Sequence, residues 1–118
     1  MARGYNCLAT DQRSGGVLND QENETSKRAT AKGLPTSYID AEPDIIAAVN
    51  YMAKKYNQQV ILVGSSYSAA LGLKVAKENP NVKAVLSFSP GEYFGDKLVL
   101  GKTIARGLGA YIFVQSLP

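Results

Sequence analysis

Histidine and tryptophan are absent from this chain of 118 residues, and cysteine occurs once, at Cys7. Without histidine there is no imidazole to serve as general base, proton shuttle or metal ligand. A single cysteine permits no internal disulfide and gives no sign of an oxidising compartment. Zinc sites built from Cys and His fail on ligand count, and no metal or cofactor is expected. Long apolar runs are missing too. None approaches the roughly 20 residues needed to cross a bilayer, so no membrane partner is expected. Met1 leads into Ala2-Arg3-Gly4-Tyr5 and not into an apolar stretch with a cleavage site, which makes a cytoplasmic protein the expectation. Charge of one sign is sparse: the net charge is +3, and Arg13, Lys27, Arg28, Lys32, Lys54 and Lys55 are scattered among carboxylates. No basic run is interleaved with aromatics, so nucleic acid is not an expected partner. Asn23-Glu24-Thr25 fits a glycosylation sequon, which reads as coincidence in a chain with no visible signal.

What is present is an ordinary globular composition, with 45% hydrophobic and 19% charged residues, enough for one domain over 1–118 with one modest core. Tyr5 to Thr10 is short and largely apolar, bounded by Gly4 and Asp11, and predicts a buried strand. From Gln12 to Ser37 the chain turns polar, with one or two helical turns expected in Asn23 to Ala31. Asp40 reads as a helix N-cap with Pro43 in the first turn. Ile45, Ile46, Val49, Met52, Ala53 and Tyr56 then recur at helical spacing, and Asn57 ends that helix. Val60-Ile61-Leu62-Val63 is a continuous apolar run, the pattern of a parallel strand covered on both faces. Gly64 to Ser68 is a sharp turn, and Ala69 to Glu78 a second helix stopped by Asn79-Pro80. Val82 to Phe88 and Ala110 to Val114 predict two further strands, with a short helix or loop over Glu92 to Arg106. Alternation of this kind means βαβ units: an α/β fold in three α/β/α layers, around a mostly parallel sheet of about four strands.

The segment that carries chemistry is Val60-Ile61-Leu62-Val63-Gly64-Ser65-Ser66-Tyr67-Ser68-Ala69-Ala70. A nucleophile seated between a strand end and a helix start needs a tight, strained turn, in which side chains two residues before and after it would collide. Gly64 and Ser68 are small at those two places. Ser66 would project its hydroxyl above the sheet at a helix N-terminus, with the backbone N–H of Tyr67 facing any oxyanion formed there. A plain strand–helix turn of the kind found in nucleotide-binding folds is the competing reading. The phosphate-binding patterns G-x-G-x-x-G and G-x-x-x-x-G-K-[ST] are both absent.

Together with this turn, Gly4-Tyr5-Asn6-Cys7-Leu8-Ala9-Thr10-Asp11-Gln12-Arg13-Ser14-Gly15-Gly16 resembles the strand and loop ahead of the elbow in α/β-hydrolases, where a D-x-R-G-x-G type sequence is common. Ser87-Phe88-Ser89-Pro90-Gly91-Glu92-Tyr93-Phe94 resembles the strand end after the elbow in small serine esterases related to dienelactone hydrolases. The resemblance runs from about Arg3 to Val114 and implies strands four to seven of that fold, a truncated α/β-hydrolase core. It implies Ser66 as the nucleophile position and acyl or carboxylic-ester chemistry in the parent family. Nothing in the chain corresponds to the family's first three strands, nor to the loop that donates the second oxyanion N–H.

The same resemblance exposes a missing base and acid. The family's histidine has no counterpart here. Glu92 and Asp96 fall where some members keep their acid, although solvated loop carboxylates have the same look. Lys74 lies two helical turns beyond Ser66, and Asp11 reads as a turn residue. Tyr67, Tyr93 and Phe94 either line an acyl pocket or belong to the core. A serine hydroxyl without a base is a poor nucleophile, so negligible esterase activity is expected of the chain alone. The strand at Tyr5 to Thr10 either pairs directly with Val60 to Val63 or leaves a gap for another chain. Exposed sheet edges and helix faces then make a homo-oligomer the expectation. Three functions compete: a fragment or truncated relative of a serine hydrolase, a non-catalytic binding or interaction module that reuses the hydrolase core, and an enzyme completed in trans by a partner's histidine and acid.

Overall fold

The computed structural model describes residues 4–17, 19–95, 98 and 110–114. Helix α1 (Glu24–Ala31) is followed by a 3-10 turn (Tyr38–Ala41), α2 (Glu42–Tyr56), β1 (Val60–Ser65), α3 (Tyr67–Glu78), β2 (Val82–Phe88) and β3 (Ala110–Val114). The strands form one parallel sheet in the order β1-β2-β3, so the fold is α/β around a parallel sheet, with three strands among the described residues.

The elements follow from local chemistry. The Asn23 side chain caps α1 by accepting from the Ser26 N–H at 2.9 Å, and its amide nitrogen donates to the Gln12 carbonyl at 2.7 Å. The expected cap at Asp40 is a correction: Asp40 lies inside the 3-10 turn, where its carboxylate accepts from the Ser37 N–H at 2.8 Å and from the Ser37 hydroxyl. The α-helix therefore begins two residues after Asp40, with Pro43 in its first turn, where a missing N–H costs nothing. It ends at Asn57, which adopts the left-handed conformation at φ 50°. Of the apolar stripe, Ile45, Val49 and Ala53 are buried, Ile46 and Met52 half-buried, and Tyr56 exposed.

A second correction concerns Tyr5 to Thr10. That stretch forms no strand; every residue in it is exposed, Tyr5 at 67% and Leu8 at 46%. A strand is stable only when a neighbour takes its N–H and C=O groups, and in this sheet β1 pairs with β2 alone. The segment of Tyr5 to Thr10 lies exposed as irregular chain instead. Direct pairing of this segment with Val60 to Val63 is thus not what the chain does, and among the described residues the sheet holds one strand fewer than expected.

Among the described residues, helices cover one side of the sheet. Leu62 and Gly64 of β1 and Val85 and Ser87 of β2 share a face by register. Helix α3 lies on it: a Cβ on Gly72 would sit 3.2 Å from the Leu62 side chain, and the buried Ser87 hydroxyl donates to the Ala69 carbonyl at 3.4 Å. Leu71, Leu73 and Val75 of α3 are fully buried, and Ile45 and Val49 of α2 join them in one core. Burial of each such side chain contributes about 2 kcal/mol. Leu98, in the connection from β2 to β3, is buried in the same cluster.

The opposite face carries Ile61, Val63, Ala84, Leu86 and Phe88, with no charged residue among them. Ile61 is 53% exposed, Val63 62% and Phe88 39%. The apolar run of β1 thus has one face covered among the described residues. An uncharged strand at a sheet edge, open on one face, favours association. Sedimentation velocity is expected to show species larger than the monomer as concentration rises, and Val63→Lys to return them to monomer. A monomer across the micromolar range, unaltered by the lysine, would contradict this expectation.

Candidate functional site at the β1–α3 turn

The turn between β1 and α3 is built on one close approach. A Cβ at Gly64 would lie 2.9 Å from the Ser68 carbonyl oxygen and 3.0 Å from Ala69 Cα, both backbone atoms that cannot step aside. Glycine lets the strand end meet the helix start, and the chain between them must reverse within two residues. Ser66 takes the strain, at φ 57° and ψ −130°. For a residue with a Cβ such a conformation costs on the order of 1–3 kcal/mol, and it persists only when its surroundings hold it. Here the Ser66 N–H donates to the Phe88 carbonyl at 3.0 Å, and its own carbonyl accepts from Ala69 and Ala70 N–H at 3.1 and 3.3 Å. The first bond fastens the turn to the end of the neighbouring strand, and the other two open α3.

Ser66 is exposed, with its hydroxyl projecting from the turn. Tyr67 is the first residue of α3, in the turn where backbone N–H groups have no carbonyl partner within the helix. The first turn of α3 holds no acidic residue, so the partial positive charge of the helix end is not offset by its own side chains. Ser68, the small residue two places on, is half-buried and donates its hydroxyl to Gln12 Oε1 at 3.1 Å.

The loop 12–16 is drawn up beside this turn. Ser14 Oγ and Tyr67 Oη are hydrogen-bonded at 2.9 Å, and the Tyr67 ring stacks on Tyr38 with centroids 4.2 Å apart. The anchor is Arg13, whose Nη2 meets Asp44 Oδ1 at 2.8 Å while its backbone N–H and Nε reach Asp44 Oδ2 at 2.9 and 3.1 Å. The bond to Asp44 holds the Arg13 guanidinium above its ordinary pKa. Burial pushes the Asp44 carboxyl up, but side-chain and backbone hydrogen bonds from Arg13 outweigh it and hold the group below its usual range. Neither partner is visible in sequence spacing, because they lie 31 residues apart and meet only through the tertiary path.

The other expected site residues are dispersed. Glu92 is exposed on the loop after β2, and Asp96 lies outside the described residues. Lys74 points away from Ser66 into an ion pair with Glu42, and to Glu78 at 3.2 Å. Burial lowers the Lys74 ammonium, but those two carboxylates prevail and hold it above its ordinary range, so it is no base. Phe94 packs against the core, whereas Tyr93 is 48% exposed and stands at the elbow itself: Ser66 Oγ donates to Tyr93 Oη at 3.4 Å. Sequence reasoning placed Tyr93 only as pocket lining or core. The Ser89-Pro90-Gly91 turn, with Ser89 at φ 49°, was the available sign that the chain doubles back there. Among the described residues no group of three or more His, Cys, Asp or Glu is placed to hold a metal ion.

An open hollow of ≈ 540 Å³ lies elsewhere, lined by Arg13, Ile39, Asp40, Glu42, Pro43 and Ile46 among others. Its charged groups already serve the fold, Arg13 with Asp44, Asp40 with Ser37 and Glu42 with Lys74. It is therefore not a second candidate site. Comparison of the chain with protein-family models, curated proteins and solved structures finds no match.

Two measurements test this geometry. Glycine adopts positive φ without strain, so Ser66→Gly is expected to raise stability by about 1 kcal/mol, while Ser66→Ala keeps the strain and stays near the parent. Equal urea midpoints for the two variants would remove the strain argument. For Asp44, whose folded pKa is depressed, the stabilisation is complete above the unfolded value of about 3.9 and is lost as pH falls through the folded one. Asp44→Asn is expected to cost about 2 kcal/mol at pH 7, with the gap from the parent closing below about pH 4. A gap independent of pH would assign the cost to packing instead.

Proposed function

We propose that the chain is a relative of the serine hydrolases of the α/β-hydrolase superfamily, closest in kind to dienelactone hydrolases and small serine esterases, and that it carries the central part of that fold with Ser66 at the nucleophile position. The observation that carries the reading is the backbone of Ser66, a non-glycine residue at φ 57° between a parallel strand and a helix, opposite a glycine with no room for a Cβ. A turn that is only a connection has no reason to keep a strained serine where glycine is cheaper. In this reading the Tyr67 N–H faces the oxyanion, Gly64 and Ser68 make the turn, and the ligand is a small acyl compound. Glu92 and Asp96 stand as acid candidates of the same proposal. A fourth strand and a helical layer on the open face complete the fold, and a cytoplasmic homo-oligomer is its working form.

With no histidine in the chain, turnover of an activated ester by the isolated protein is expected to stay at the buffer rate. The direct test is covalent capture by a fluorophosphonate probe, which reports a reactive serine with no known substrate. Slow labelling at Ser66, absent in Ser66→Ala, is the expected result. A folded sample whose label falls equally on several serines, or is unchanged in the variant, would sink the reading.

A binding or interaction module that keeps the hydrolase core without its chemistry is the second reading. The uncharged face of Ile61, Val63, Leu86 and Phe88 favours it. Failure of the probe at Ser66 in a stable oligomer would select it over the first.

A further inference from the structure

The ends of β1 and β2 are neighbours, with Ser65 opposite Phe88 in the register. Each runs into a serine with left-handed φ, Ser66 at 57° and Ser89 at 49°. The second of these turns sends the chain back over the first, and Tyr93 is where it arrives. Three features fix its ring. A Cβ at Gly91 would lie 3.0 Å from Tyr93 Cε2, so the ring passes across bare backbone. The ring meets Phe94 edge to face, with centroids 6.3 Å apart at 63°. The Tyr93 hydroxyl is directed to the Ser89 carbonyl at 3.5 Å, and Ser66 Oγ donates to it at 3.4 Å. These distances are long for hydroxyl pairs, as contacts between a nucleophile and its base commonly are before a substrate is bound.

We infer that Tyr93 is the proton acceptor of Ser66, the group that takes the hydroxyl proton when Ser66 Oγ attacks an acyl or phosphonyl centre. The inference rests on the reading of Ser66 as a nucleophile and goes beyond it, since no base was available to that reading. A phenol oxygen takes a proton readily only as the phenolate, so the dyad is slower than a serine–imidazole pair and is quickened by alkali. The step balances without a further reactant. Tyr93 first gives its proton to water. As the bond from Ser66 Oγ to the phosphorus of a fluorophosphonate forms, the Ser66 proton passes to Tyr93 Oη and fluoride leaves with its electron pair. Among the described residues, the groups that meet Tyr93 include Ser66 from the elbow, Ser89 and Gly91 from the turn, and Phe94 from the loop. Glu92 precedes it in the chain.

The test is the rate of fluorophosphonate labelling at Ser66 between pH 7 and 10.5 for the parent, Tyr93→Phe and Ser66→Ala. Tyr93→Phe keeps the ring on Gly91 and Phe94, and an unchanged circular dichroism spectrum and melting temperature confirm that the fold is intact. The parent rate is expected to climb with pH, with a normal solvent isotope effect. Tyr93→Phe is expected to lose at least about tenfold at pH 9.5, together with the isotope effect. Parent and Tyr93→Phe profiles that coincide would overturn the role of Tyr93 and leave Ser66 as nucleophile. No Ser66-specific label in the parent at any pH would overturn both. If Tyr93→Phe fails to fold, the parent decides: a rate that neither rises with pH nor shows a solvent isotope effect refutes the inference, and one that does both upholds it.

Discussion

The contact on which the structure depends is the approach of β1 to the first turn of α3 at Gly64. Strand and helix backbones come so close there that a single methyl group would have to displace the Ser68 carbonyl. Once they meet, the intervening residue has nowhere to go but positive φ. The hydrogen bonds that hold it there also join β1 to β2 through Phe88 and begin α3 through Ala69 and Ala70. The buried Ser87 hydroxyl ties the middle strand to the same helix turn. One steric condition therefore sets the helix on the sheet, the exposure of Ser66 and the position of the loop that returns over it.

How much of this could be read from the residues depended on how local each cause is. Val60 to Val63, Gly64, Ala69 to Glu78, Val82 to Phe88 and Ala110 to Val114 announce themselves because apolar runs, a small turn residue and an Asn-Pro stop act over a few positions. The tight turn from Gly64 to Ser68 was legible for the same reason. Tyr5 to Thr10 was misread because its apolar content satisfies a strand pattern, while strand formation depends on a neighbour that no local pattern supplies. Arg13 with Asp44, Gln12 with Ser68 and Ser66 with Tyr93 were invisible in principle: each pair is brought together by turns whose geometry emerges only when the sheet and α3 have packed. Asp40 sits between these cases, right as a helix-initiating carboxylate and wrong by one short 3-10 turn.

The sheet is lopsided, and the side chains show it. Where α3 lies, Leu62, Gly64, Val85 and Ser87 are graded in size to receive a helix. On the reverse, Ile61, Val63 and Phe88 remain in water, although their sequence pattern is that of a strand with two apolar sides. The core that does form is small, drawn from α2, α3 and one face of β1 and β2, so the cost of holding Ser66 off its preferred backbone is a sizeable share of what such a core supplies.

Asn23 is occupied twice over. Its oxygen caps α1 and its nitrogen bridges to Gln12, while a Cβ on Gly15 would sit 2.5 Å from that same nitrogen. This amide belongs to the sequon Asn23-Glu24-Thr25, so a sugar attached there would need the space that the closed loop fills. The bridge from Asn23 to Gln12 and any substituent on that amide compete for one side chain.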